Sequence, residues 1–125
     1  AELIEHAIKN HLQPRADFFE RYNPLTGEPL SHFRDYMHSW WIDIIIKHIV
    51  GFEPQDDGHI ELNPLPMGLD YFLLENVQYQ GRNIKIVWQS LDKPKKYENY
   101  PMGYSVFADG KMIHNDSELR KWIEK

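Results

Sequence analysis

The stretch Phe18-Phe19-Glu20-Arg21-Tyr22-Asn23-Pro24-Leu25-Thr26-Gly27, followed by His38-Ser39-Trp40-Trp41, gathers side chains of complementary chemistry. Glu20 carries a carboxylate able to take a proton. Tyr22 and Asn23 can hydrogen-bond that carboxylate or a polar ligand, and Trp40 or Trp41 can offer an apolar plate to a sugar ring. Each also has an ordinary structural reading, because a glutamate near a helix end is usually solvated and tryptophans in a helical apolar pattern usually belong to a core. Other familiar chemistries are not written here: there is no glycine-rich phosphate loop, no nucleophile elbow and no His-Glu-x-x-His pair, and the seven histidines are dispersed. Asp56-Asp57-Gly58 lacks the remaining oxygen ligands of a calcium loop and reads as a turn. No metal and no cofactor are therefore expected. Asn115-Asp116-Ser117 matches a glycosylation sequon, which matters only after export.

The elements that would position these groups change character midway. From Glu2 to Tyr22 apolar residues fall at helical spacing, with a break expected at Pro14. Asn23, Pro24, Thr26, Gly27 and Pro29 then mark a loop. Ser31 caps a second predicted helix, in which Phe33, Tyr36, Met37, Trp40, Trp41, Ile44, Ile45 and Ile49 repeat at three-four spacing up to Gly51. Ile42 and Ile46 widen its apolar arc, so this helix expects neighbours on more than one side. Beyond Gly51 the period becomes two. A turn at Asp57-Gly58 and a strand from His59 to Asn63 are expected, then a hairpin of Tyr71 to Tyr79 and Asn83 to Gln89 across Gln80-Gly81. Ile84, Ile86 and Trp88 share its buried face, and Val87 requires cover on the other. Lys93 to Pro101 reads as an excursion, Tyr104 to Asn115 as a second hairpin turning at Asp109-Gly110, and Ser117 as the cap of a short last helix to Ile123.

A chain of 125 residues with 42% hydrophobic and 14% aromatic content can build one real core. The net charge of −5 offers no basic field for nucleic acid or an anionic membrane, and no apolar run reaches the length of a bilayer span. Zero cysteines exclude disulfides and thiolate metal sites but leave the compartment open. The first residue is Ala1 and helical patterning starts at once, so an upstream extension or a processed start is expected.

The Glu20 to Gly27 segment, with Ser39-Trp40 on the next helix, resembles a signature of glycoside hydrolases built on a toroid of paired helices, above all the group of processing α-glucosidases and mannosylglycerate hydrolases. Residue by residue, the resemblance makes Glu20 the general base of an inverting mechanism, and the side-chain chemistry of Tyr22, Asn23, Trp40 and Trp41 makes them the expected substrate-binding residues around it. Asn63-Pro64-Leu65-Pro66, Leu69 to Val77, Tyr79-Gln80-Gly81 and the strand to Trp88 look like the β appendage that follows such toroids. The chain is too short for a whole toroid and lacks the companion general acid, an upstream aspartate in that family. The combined expectation is an α+β fold in which N-terminal helices (residues 1–51) pack beside a small, mainly antiparallel β-sandwich (residues 52–125). Its function is that of the C-terminal part of an inverting glycosidase acting on α-linked sugars, inactive alone. The alternative is a noncatalytic carbohydrate-binding or assembly module. Carbohydrate is the expected partner, together with a second copy of the chain or the missing toroid against the wide apolar arc of the second helix.

Overall fold

The computed structural model describes residues 21, 23–26, 28–30, 32, 39–65 and 68–125. Two compact units divide the chain, Ala1–Ile44 and Ile45–Lys125. In the first, the described residues form a tight turn between Arg21 and Leu30 and one helix, α1 (Ser39–Ile44).

The second unit opens with a π-helical segment, Ile45–Val50, and continues through seven strands. These are β1 (Phe52–Pro54), β2 (Ile60–Leu62), β3 (Tyr71–Tyr79), β4 (Arg82–Gln89), β5 (Gly103–Ala108), β6 (Lys111–Asp116) and β7 (Trp122–Ile123). They form two antiparallel sheets, ordered β1-β2-β7 and β3-β4-β5-β6. Alternation dictates the larger sheet. Ile84, Ile86 and Trp88 of β4 lie opposite Ala108, Val106 and Tyr104 of β5, so all six point to one face. Turn chemistry fixes the registers: Gln80 and Gly81 both take positive φ, 49° and 76°, as the right-handed twist of a two-residue hairpin requires. Asp109-Gly110 repeats this turn between β5 and β6. Asn76, at φ 60°, sits where the β3–β4 register slips between Leu74 and Val77, a bulge that bends the long strand.

The core lies between the sheets. Val50, Phe52, Ile60 and Leu62 meet Tyr79, Ile84, Ile86, Tyr104 and Val106 there, and all nine are buried. Phe52 and Tyr79 cross the gap edge to face at 5.1 Å. The Tyr79 hydroxyl accepts from the Gln55 backbone N–H at 2.7 Å and lies 2.9 Å from the Gln55 carbonyl and 3.1 Å from that of His59, holding the β1–β2 turn. Arg82 donates to both carboxylate oxygens of Glu124, at 2.7 and 3.0 Å, and to the Gly58 carbonyl at 2.8 Å. Glu124 in turn accepts from the Ile60 N–H, so one bidentate ion pair ties β4 to the edge of the smaller sheet. Gly51 allows the entry into β1: its φ is +73°, and a Cβ there would stand 2.1 Å from the Asn63 carbonyl carbon.

The outer face of the larger sheet is also covered. Val87, Gln89 and Ser105 are buried there, and the segment after β4 folds back to bond Gln89. The Gln89 side-chain oxygen accepts from the N–H groups of Lys96 (3.0 Å) and Tyr97 (2.7 Å). Its two amide protons are shared among the carbonyls of Tyr97, Tyr100 and Pro101 at 3.2, 3.2 and 3.0 Å. Tyr97 and Tyr100 add edge contacts to Tyr71 and Phe107, each at 5.8 Å.

Three expectations are corrected. The α+β architecture, with helices packed beside a small sandwich, gives way to an antiparallel β-sandwich: among the described residues the sheets dominate and α-helix is confined to Ser39–Ile44. The physical reason is that each sheet supplies the other's cover, and the helical residues that join this core are Val50, buried, and Ile46, packed at its margin. The helix predicted through Val50 changes to a π repeat at Ile45. The short last helix from Ser117 is instead β7, because pairing with β2 satisfies its backbone while Trp122 closes on the core. The predicted first helix, and residues 33–38 of the second, lie outside the described residues.

Candidate functional site

Asn23 builds its own turn. Its side-chain oxygen accepts from the backbone N–H groups of Leu25 (2.9 Å) and Thr26 (3.3 Å). Its own N–H donates to the Glu28 carbonyl at 2.8 Å, and Leu30 N–H donates to the Arg21 carbonyl at 2.9 Å. The side-chain oxygen of Asn23, a residue expected to bind the sugar, is therefore engaged in an Asx turn around Pro24. Glu20 and Tyr22 lie outside the described residues. Trp40 and Trp41 belong to the backbone of α1, and their side chains lie outside the described residues. Asp57 accepts from the His59 N–H at 3.2 Å and contacts the His59 ring, which holds its carboxyl below the usual range and fits the turn reading of this segment. Among the described residues no group of three or more histidines and carboxylates is placed to hold a metal ion.

A second arrangement, which the sequence reading passed over, lies within the β unit. Contacts between the two sheets gather where β3 turns into β4: Tyr79 reaches Gln55 and His59, and Arg82 reaches Gly58 and Glu124. The three residues of β2 span about 10 Å, whereas the eight of β4 span about 26 Å. At the far end of β4 an open cleft of ≈ 530 Å³ remains, lined by Trp88, Leu69, Leu91 and Leu119, with Asp70, Asp92, Glu118, Lys93 and the serines 90 and 117 around them. Its geometry is held by local bonds. The Trp88 indole N–H donates to the Leu69 carbonyl at 2.7 Å, and Ser90 N–H donates to the Asp70 carbonyl at 2.8 Å. Lys93 N–H reaches the Ser90 carbonyl at 3.3 Å, and its ammonium stands 3.5 Å from Asp70. Across the cleft, Asp116 accepts from Glu118 N–H (3.1 Å) and from Arg120 (2.8 Å), fixing the bend between β6 and β7 that carries Glu118 and Leu119.

Trp88 was correctly expected on the inner face with Ile84 and Ile86, but as core alone. The available signal was length: a long inward-facing strand opposed by very short ones must leave its last inward residue near a rim. Apolar side chains flanked by carboxylates and hydroxyls suit a ligand with both C–H faces and hydroxyl groups.

No protein-family model matches the chain. In structure, 98% of the chain matches a solved chain named "Sialidase", with a TM-score of 0.75 and 26% sequence identity. The match spans 12% of that chain. The likeness therefore runs to a sialidase rather than to the α-glucosidase and mannosylglycerate hydrolase group expected from the sequence, and it relates this chain to a small segment of a much larger protein.

Proposed function

We propose that this chain is a segment of a glycoside-cleaving enzyme, with its β-rich region beyond residue 51 in a noncatalytic role. The observation that supports this most is the breadth of the structural likeness: nearly all of the chain matches a glycosidase by name, while most of that glycosidase has no counterpart here. An inverting site needs two carboxyl groups roughly 6.5–9.5 Å apart around a sugar and a water, and the general acid that the resemblance calls for has no matching position in this sequence. The purified 125-residue protein is accordingly expected to leave aryl α-glucosides and α-mannosides intact. Robust turnover that Glu20→Gln abolishes would overturn the proposal.

The finer assignment, inversion at an α-linked sugar with Glu20 as water-activating base, rests on the Glu20 to Gly27 resemblance. In a longer enzyme containing this segment, Glu20→Gln should lower kcat by roughly 10²–10⁴-fold with the melting temperature unchanged. Wild-type turnover would remove Glu20 from the mechanism. A second reading, a module that holds sugar without chemistry, is favoured by the Trp88 cleft, whose lining does not draw on residues 1–51.

A further inference from the structure

We propose that the Trp88 cleft is a subsite for a neutral sugar residue and discriminates against acidic sugars. The inference rests on the carbohydrate reading above and adds to it a place and a selectivity. The cleft volume, ≈ 530 Å³, falls in the range of small-ligand sites and is ample for one or two hexose units. Its apolar side is reachable: Leu91 is 55% exposed, and Leu69, Trp88 and Leu119, which line the same cleft, are half-buried. A pyranose presents C–H groups on one face, which such a surface desolvates, and hydroxyls at its edge, which carboxylates and serines accept from or donate to.

The charge of the lining sets the selectivity. Asp70, Asp92 and Glu118 contribute three negative charges and Lys93 one positive, a balance of −2, and Lys93 already lies 3.5 Å from Asp70. Arg120, just beyond the lining, pairs with Asp116 at 2.7 Å and stands 3.9 Å from Glu118. A sugar carboxylate entering the cleft would meet like charge with no free cation among the lining residues, a desolvation and repulsion cost that a neutral hydroxyl does not carry. The cleft is thus built against the sialic acid that the name of its structural relative would suggest.

Titration of the ¹⁵N-labelled 125-residue protein tests this directly, with the Trp88 indole N–H as reporter because it bonds to Leu69, a second residue of the lining. Lactose and maltotriose should shift that resonance and the Leu119 amide. At low salt 3′-sialyllactose should bind at least about 10-fold more weakly than lactose, and the gap should narrow in salt as screening predicts. The double variant Asp92→Asn/Glu118→Gln alters two exposed side chains without touching the core and should bring the two ligands within about 3-fold of each other. Equal or tighter binding of 3′-sialyllactose to the unmodified protein would overturn the selectivity. Neutral sugars that move resonances elsewhere would refute the cleft while leaving the carbohydrate reading standing. Silence at Trp88 and Leu119 with every sugar would refute the cleft as well, and hydrolysis by the longer enzyme would then decide the broader reading separately.

Discussion

Strand β4 buries both of its faces, and it does so by two different means. On the inner face Ile84 and Ile86 lie against apolar side chains of the opposing sheet, where the stabilisation comes from water-excluded area and packing. On the outer face Val87 and Gln89 are just as buried, yet what covers them is an irregular loop rather than a sheet. A loop laid over a core brings unpaired backbone groups with it, and Gln89 meets this demand by serving two N–H groups and three carbonyls from one side chain. The difference teaches that an irregular segment can act as a second layer when a single well-placed amide supplies the hydrogen bonds that a strand neighbour would have given.

Breaking the inner face should have the largest effect. Ile86→Ala removes a fully buried side chain at the centre of the core and should cost about 2–5 kcal/mol in chemical denaturation. A loss below 1 kcal/mol would show the two layers to be less closely packed than described. Breaking the outer face should cost less but act locally. Gln89→Leu keeps the volume while leaving loop amides and carbonyls without partners, a penalty of roughly 1–3 kcal/mol. Hydrogen exchange at the Lys96 and Tyr97 amides should accelerate well beyond the global change, and unchanged protection there would argue that the aromatic contacts alone hold the loop.

The smallest effect sharpens the comparison from the other side, since the inner layer holds polar atoms without the service Gln89 provides. His114 stacks on Trp122 at 4.7 Å and meets the edge of Tyr104 at 5.8 Å, and its Nε2 is buried without a partner, as is the Tyr104 hydroxyl. Burial lowers the His114 pKa below 6.5 against the opposing pull of Asp116, with Arg120 reinforcing the burial. Burial also pushes the Tyr104 hydroxyl well above its ordinary range, so it stays neutral throughout. Because the unfolded chain takes up the His114 proton first, this contribution is fully present above about pH 6.5 and is lost as pH falls toward the lowered folded value. Stability should therefore decline from pH 7 to pH 5 by less than about 1.4 kcal/mol per pH unit from this group. His114→Phe should flatten that decline, and an identical slope in the variant would assign the acid sensitivity elsewhere.

Much of the β unit could be read from the sequence because period two and turn residues act locally. Gln80-Gly81 and Asp109-Gly110 fixed two hairpins, and Ile84, Ile86 and Trp88 declared one face. The need to cover Val87 was also legible, but the cover was not: Gln89 at an alternating position looks like a solvent-facing polar residue until the loop that it binds is seen. The smaller sheet was harder still. β7 spans two residues and pairs with β2 some sixty positions earlier, so neither length nor local pattern announces it. The capping pattern at Ser117 pointed to a helix, and long-range pairing overrode that local preference. Of the expected site, Asn23 is seen making its turn, while the cleft at Trp88 escaped notice because its lining comes from three separate stretches of chain.

The clasp between Arg82 and Glu124 has a consequence for the order of folding. It joins residues 42 positions apart, and through Glu124 it reaches Ile60, 64 positions away. Closing so long a loop costs chain entropy that local hairpins do not incur, so the clasp is expected to form on the native side of the rate-limiting barrier. Loosening it should therefore leave the refolding rate nearly unchanged and quicken unfolding, which makes this ion pair a determinant of how long the sandwich persists rather than of how readily it forms.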